Sequence, residues 1–130
     1  MGKDMKYLLD TNILIYYIAN KIPQKELSTI EKILEEDFNI SIITKIEFLG
    51  WKYYDYETFL NAKEFINLAN IIPLNNEIAE IAIKLRRKYN LKLGDAVIAA
   101  TSLFHDLTLI TRNEKDFKKV KEIKIYNPFK

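Results

Sequence analysis

An α/β sandwich, with a mainly parallel central sheet of about five short strands covered by helices on both faces, is the fold this sequence predicts. Short apolar runs alternate along the chain with longer stretches whose apolar residues recur at helical spacing. The 130 residues suffice for one hydrophobic core and not two, so a single domain over residues 1–130 is expected. Only 3 Gly and 3 Pro are present, which leaves little room for long flexible connections.

Residues 7–9 form an apolar run that stops at Asp10, and Ile13, Tyr16 and Tyr17 begin a helical pattern at once. After Ile22-Pro23, the spacing of Leu27, Ile30, Ile33 and Leu34 predicts a helix ending at Glu35-Glu36-Asp37. Isoleucine-rich residues 39–43 read as a second strand, residues 44–53 and 56–69 as helices, and residues 71–74 as a third strand. Asn75 or Asn76 can cap a helix whose apolar face is Ile78, Ile81, Ala82, Leu85 and Tyr89. Gly94-Asp95 opens a segment through Phe104 that is apolar on nearly every side, as in a helix buried between layers. Residues 107–110 and 123–126 complete five strands.

With no cysteine and one histidine, the chain lacks the ligands of a zinc or thiolate site, so any metal must be held mainly by oxygen. That suits magnesium or manganese. No apolar stretch is long enough to span a membrane and no signal peptide is read, so a cytoplasmic protein is expected. The Met1-Gly2 start fails the myristoylation pattern because position 6 is Lys. A net charge of +2 is compatible with nucleic acid as a partner but too mild to require it.

Four carboxylates stand near strand exits and helix starts: Asp10, Glu47, Asp95 and Asp116. Each has a local explanation. Asp10 could cap the helix at Thr11, Thr44 to Glu47 has the spacing of a capping box, Asp95 could cap its own helix, and Asn113 to Asp116 could cap a short turn. Taken together, four acids without assigned cationic partners repel one another, and a divalent cation relieves that repulsion. Such a site suits phosphodiester hydrolysis, in which the metal activates water and holds the phosphate.

The stretches Leu8-Leu9-Asp10-Thr11-Asn12, Ser41-Ile42-Ile43-Thr44 with Glu47-Phe48-Leu49-Gly50, Asp95-Ala96-Val97-Ile98-Ala99-Ala100, and Leu109-Ile110-Thr111-Arg112-Asn113 with Asp116-Phe117 follow one another in order and spacing. In these the chain resembles the PIN-domain ribonucleases, most closely the VapC-like toxins of prokaryotic toxin–antitoxin pairs. The resemblance implies a PIN-like sandwich and a magnesium- or manganese-dependent endoribonuclease with Asp10, Glu47, Asp95 and Asp116 as its acidic site. It gives Thr11 and Asn113 supporting roles, and it implies RNA as substrate, a homodimer, and a small antitoxin that blocks the site. A housekeeping RNA-processing nuclease would look the same.

Arg86, Arg87, Lys88 and Lys92 precede Asp95, and Lys115, Lys118, Lys119 and Lys121 surround Asp116. Arg86, Arg87, Lys92 and Arg112 are the expected RNA contacts, against the alternative of a solvated helix face. Trp51, Tyr53, Tyr54, Tyr56 and Phe59 crowd one region and read partly as core and partly as a protein interface. His105 reads as a helix-end residue. A phosphoacceptor domain would need an acidic pair after the first strand, and an aspartate-nucleophile phosphatase would need Asp where Asn12 stands. A binding module of the same fold that does not cut is the remaining alternative.

Overall fold

The computed structural model describes residues 4–130, so the Met1-Gly2 start weighed above lies outside the described residues. The elements run β1 (Tyr7–Leu9), α1 (Thr11–Ile18), α2 (Gln24–Glu36), β2 (Asn39–Ser41), α3 (Ile42–Leu49), α4 (Tyr56–Ile66), β3 (Asn70–Ile72), α5 (Asn76–Lys88), α6 (Leu93–Phe104), β4 (Thr108–Ile110), α7 (Glu114–Phe117) and β5 (Lys124–Tyr126). Every paired strand is parallel: β4 lies between β1 and β5, and β2 pairs with β3. With β1 and β2 side by side, the order across the layer is β3-β2-β1-β4-β5.

The two ladders meet at the β1–β2 seam, where side chains take the place of strand pairing. Asp37 Oδ2 accepts from the backbone N–H of Lys6 (2.9 Å) and of Tyr7 (3.0 Å). The buried Asn39 donates from Nδ2 to Tyr7 O (2.9 Å) and to Asp37 Oδ1 (2.7 Å), and its Oδ1 accepts from Asn70 (3.0 Å). Backbone groups that a continuous sheet would pair are thus satisfied by two polar side chains.

Alternation along the strands splits the core in two. Leu8 and Leu109 face α5 and α6, with Ile78, Leu85, Val97, Ile98 and Phe117. Leu9 and Ile110, with Ile40 of β2, face the other layer, meeting Ile13, Ile30, Phe48 and Ile66 from α1 to α4. In α6 every residue from Ala96 to Ser102 is buried, as its uniform apolarity predicts, and Asn75 caps α5 by accepting from Ile78 N–H at 2.8 Å. Among the described residues no helix is long and apolar enough to cross a membrane.

Several boundaries differ from expectation, with β4 and β5 each starting one residue later, at Thr108 and Lys124. The second strand stops at Ser41, because its hydroxyl accepts from Ile43 N–H (3.1 Å) and starts α3 there, so Ile42 and Ile43 are helical. That helix ends at Leu49 rather than residue 53: Gly50 approaches Ile46 O so closely that a Cβ would lie 2.5 Å from it. Helix α4 ends at Ile66 rather than residue 69, and β3 spans Asn70–Ile72 because it pairs residue for residue with the short β2.

Replacing Asn39 with Ala should cost about 2 kcal/mol in urea unfolding, since it removes a buried amide that bonds the partly buried Tyr7 and Asp37 and the exposed Asn70. A loss below about 1 kcal/mol would mean that packing alone holds the seam.

Candidate active site

The parallel register sets Leu9 beside Ile110, so one residue further on Asp10 and Thr111 emerge side by side. Asp10 N–H donates to Ile110 O (2.9 Å) and Thr111 N–H to Tyr126 O (3.1 Å), which carries the ladder to the carboxyl ends of β1 and β4. Here the strand order reverses, because β2 follows β1 on one side while β4 lies on the other. This is the kind of switch point at which open α/β sheets bind ligands.

Asp10 is only 5% exposed. Its Oδ1 accepts from Thr11 N–H (2.8 Å), and its Oδ2 accepts from the Thr111 hydroxyl (2.7 Å) and from Asn12 Nδ2 (3.0 Å). All three donors are neutral. Burial pushes the Asp10 carboxyl up to about 6, the Thr111 and Thr11 hydrogen bonds oppose the rise, and the charges of Asp95 and Glu47 add to it. The half-buried Asp95 is also raised, by burial first and then by Asp116 and Glu47, with Lys92 opposing. Asp95 is thus the acid nearest to linking the set, since its charge bears on Asp10 after β1 and it feels both Glu47 on α3 and Asp116 on α7.

The local explanations fare unevenly. Asp10 does cap α1, through Thr11, while its other oxygen accepts from Thr111 and Asn12. Glu47 forms no capping box, because α3 starts earlier than residue 44. Its Oε1 instead accepts from the Thr11 hydroxyl at 2.6 Å, and Thr11 Oγ1 also lies 3.1 Å from the buried Thr44 Oγ1. Glu47 rests against the first turn of α6, where a Cβ on Gly94 would come within 2.9 Å of Oε2. Asp95 lies inside α6 rather than at its cap, which is Lys92. Asn113 makes no side-chain cap and donates to Asp116 Oδ2 (3.2 Å).

Thr11 and Asn113, the residues given supporting roles, donate to the carboxylates of Glu47 and Asp116. Thr111 and Asn12 donate to Asp10 in the same way, without having been singled out, and Thr44 meets the Thr11 hydroxyl. The sign of Thr111 was its place directly after the fourth strand, which mirrors that of Asp10 after the first. Asn12 also accepts from Arg112 N–H (3.2 Å) and so ties α1 to the strand exit.

The expected cations separate. Arg86 and Lys92 line a cleft of about 400 Å³ with Asp95 and Asp116, and Arg87 is not among its lining residues. The guanidinium of Arg112 stacks on Phe129 (4.3 Å) and Tyr16 (5.1 Å). Asp116 has a cationic neighbour after all, Lys119 at 3.7 Å, on the exposed surface. His105 ends α6, the opposite end from Asp95.

Among the described residues no three carboxylates gather closely enough to enclose an ion by themselves. The donors nonetheless fit a hard cation that keeps several waters: oxygen ligands only, and a buried carboxylate with no cationic partner.

Thr111→Val removes the strongest force holding the Asp10 carboxyl down. Its titration midpoint, followed by carboxyl-carbon NMR without metal, should move up from about 6. An unmoved midpoint would contradict the assignment of that hydrogen bond.

Residues 7–123 match the family model described as the PIN domain. Two proteins of Methanocaldococcus jannaschii are similar over nearly their whole length. Ribonuclease VapC2 is 28% identical, covering 95% of this chain and 94% of its own, and ribonuclease VapC1 is 32% identical, covering 96% and 90%. Among solved structures, a toxin–antitoxin complex from Klebsiella pneumoniae contains a chain 36% identical to this one, with a TM-score of 0.73 over 95% of this chain and 98% of that one. With a family model covering the span from β1 almost to β5, and relatives aligned nearly end to end, this chain belongs to the PIN-domain family.

Proposed function

We propose that this chain is a magnesium- or manganese-dependent endoribonuclease and the toxin of a toxin–antitoxin pair. The observation that carries the reading is the buried Asp10 carboxylate, held by neutral donors and facing Asp95 and Glu47 with no cation of its own. Asp10 and Asp95 would hold the metal, with Glu47 and Asp116 binding its waters or a second ion. When bound, the cation supplies a water of lowered pKa and positive charge for the phosphate. Thr11, Thr111 and Asn113 keep the carboxylates aimed by hydrogen bonding their remaining oxygens.

The similarity to the ribonucleases VapC1 and VapC2 supports RNA as substrate, and the similarity to a toxin–antitoxin complex supports an antitoxin. An apolar groove of about 550 Å³ lined by Ile15, Ile18, Phe48, Trp51 and Tyr53 has Glu47 in its lining, so a protein seated there would also reach that acid. Trp51 and Tyr53 are more than half exposed, in keeping with an interface rather than core. Exposed Ile46 and Leu93, on packed helices α3 and α6, offer apolar surface for a homodimer. We place the protein's action in the cytoplasm, with its RNA substrate.

The test is cleavage of structured and unstructured RNA with magnesium or manganese, with EDTA, and with Asp10→Asn and Asp95→Asn chains shown to be folded. The reading expects cutting that EDTA abolishes and a loss in both variants beyond the roughly 10–100-fold caused by removing a supporting group. A chain that neither cuts any RNA nor binds the metal would favour a binding module. Acidity provides a second check. Because the folded carboxyl titrates near 6 and the unfolded one near 3.8, metal-free stability falls as pH rises through that window, by an amount on the order of 3 kcal/mol. Magnesium should therefore raise the melting temperature at pH 7.5 and, with only about one Asp10 in ten ionised, bind about tenfold more weakly at pH 5. Equal stabilisation at both pH values would count against Asp10 as a ligand.

A further inference from the structure

The two walls beside the acids differ in charge. The apolar groove on the Glu47 side has no lysine or arginine among its lining residues, whereas the cleft on the other side is lined by Arg86, Lys92 and Lys119 together with Asn90, Asp95 and Asp116. These three cations come from separate elements: the last turn of α5, the cap of α6 and the segment after α7. Their neighbours Arg87, Lys88, Lys115, Lys118 and Lys121, equally basic, line none of it. A solvated basic helix end accounts for Arg87 and Lys88, which suit the α5 C-terminus, but not for three chain segments converging on one cleft.

Among the described residues Arg86 and Lys92 have no ion-pair partner. Lys119 reaches from one side to the other, with Nζ 3.7 Å from Asp116 Oδ1 and 3.5 Å from Asn90 O. An exposed pair of that length is weak, so the ammonium can be recruited by a stronger anion. A cleft lined by two carboxylates and three cations suits a chain of phosphates, one at the metal and the next among the cations.

We propose that Arg86, Lys92 and Lys119 form a phosphate subsite for the nucleotide adjoining the scissile bond, so that the RNA backbone leaves the acids on the α5–α6 side. This rests on the nuclease reading above. The apolar groove beside Glu47 then stays free for protein. Arg86 carries the test, because unlike Lys119 it touches no site carboxylate.

The experiment measures fluorescence anisotropy of a short labelled single-stranded RNA across a series of salt concentrations, using the full chain carrying Asp10→Asn so that binding is read without cutting. Arg86→Ala, Lys92→Ala and Lys119→Ala are compared with Lys84→Ala, which removes an equal charge from α5 outside the cleft. Each cleft variant should flatten the salt slope by roughly 0.7 and weaken binding, while Lys84→Ala should leave the slope in place. In the chain with Asp10 intact, Arg86→Ala should raise KM more than it lowers kcat. Slopes for the three variants equal to that of Lys84→Ala, in a protein that does cut RNA, would overturn the subsite alone. A protein that neither binds nor cuts any RNA would overturn both the subsite and the nuclease reading.

Discussion

A carboxylate buried without a counter-charge governs the architecture of this site. Asp10 sits where β1 ends, and the chain surrounds it with a backbone N–H, a threonine hydroxyl and a side-chain amide, none of them charged. Each donor arises from a different constraint. Thr11 N–H is there because α1 starts at once, Thr111 because β4 is in register with β1, and Asn12 because it lies in the first turn of α1 and also receives the Arg112 N–H. The arrangement orients the carboxylate strongly but neutralises it weakly, which leaves it suited to a cation.

The sheet makes this geometry possible. Three-residue strands are short, and the layer is held across its middle by Asp37 and Asn39 rather than by a continuous ladder. These residues lie at the amino ends of β1 and β2, whereas the acids lie at the carboxyl ends and on the helices beyond. The seam and the acids thus lie toward opposite ends of the strands of one layer.

Much of this was legible in the chain. Five strands alternating with helices, the buried α6 and the four acids could be read from apolar spacing and from carboxylates placed after strands. What escaped reading depended on tertiary register. The Thr44–Glu47 spacing looks like a capping box, yet Ser41 starts the helix three residues earlier and Glu47 turns to Thr11, 36 positions away in sequence. Thr111 looks like an ordinary strand-end residue until the β1–β4 pairing sets it beside Asp10, 101 positions away. Arg86 and Arg87 are adjacent in sequence, and only helix packing puts one in the cleft and leaves the other outside it. In each case local spacing was ambiguous and a contact between distant segments decided the outcome.

The site also has a direction, with an apolar wall reaching Glu47 and a cationic wall reaching Asp95 and Asp116. Both walls matter only if a cation binds between them. The most direct test is anomalous diffraction from crystals of the full chain soaked in manganese. The account predicts a manganese peak in contact with the Asp10 carboxylate and completed largely by water, with Asp95 as its nearest second acid. A peak elsewhere, with Asp10 still bonded only to Thr11, Thr111 and Asn12, would contradict it.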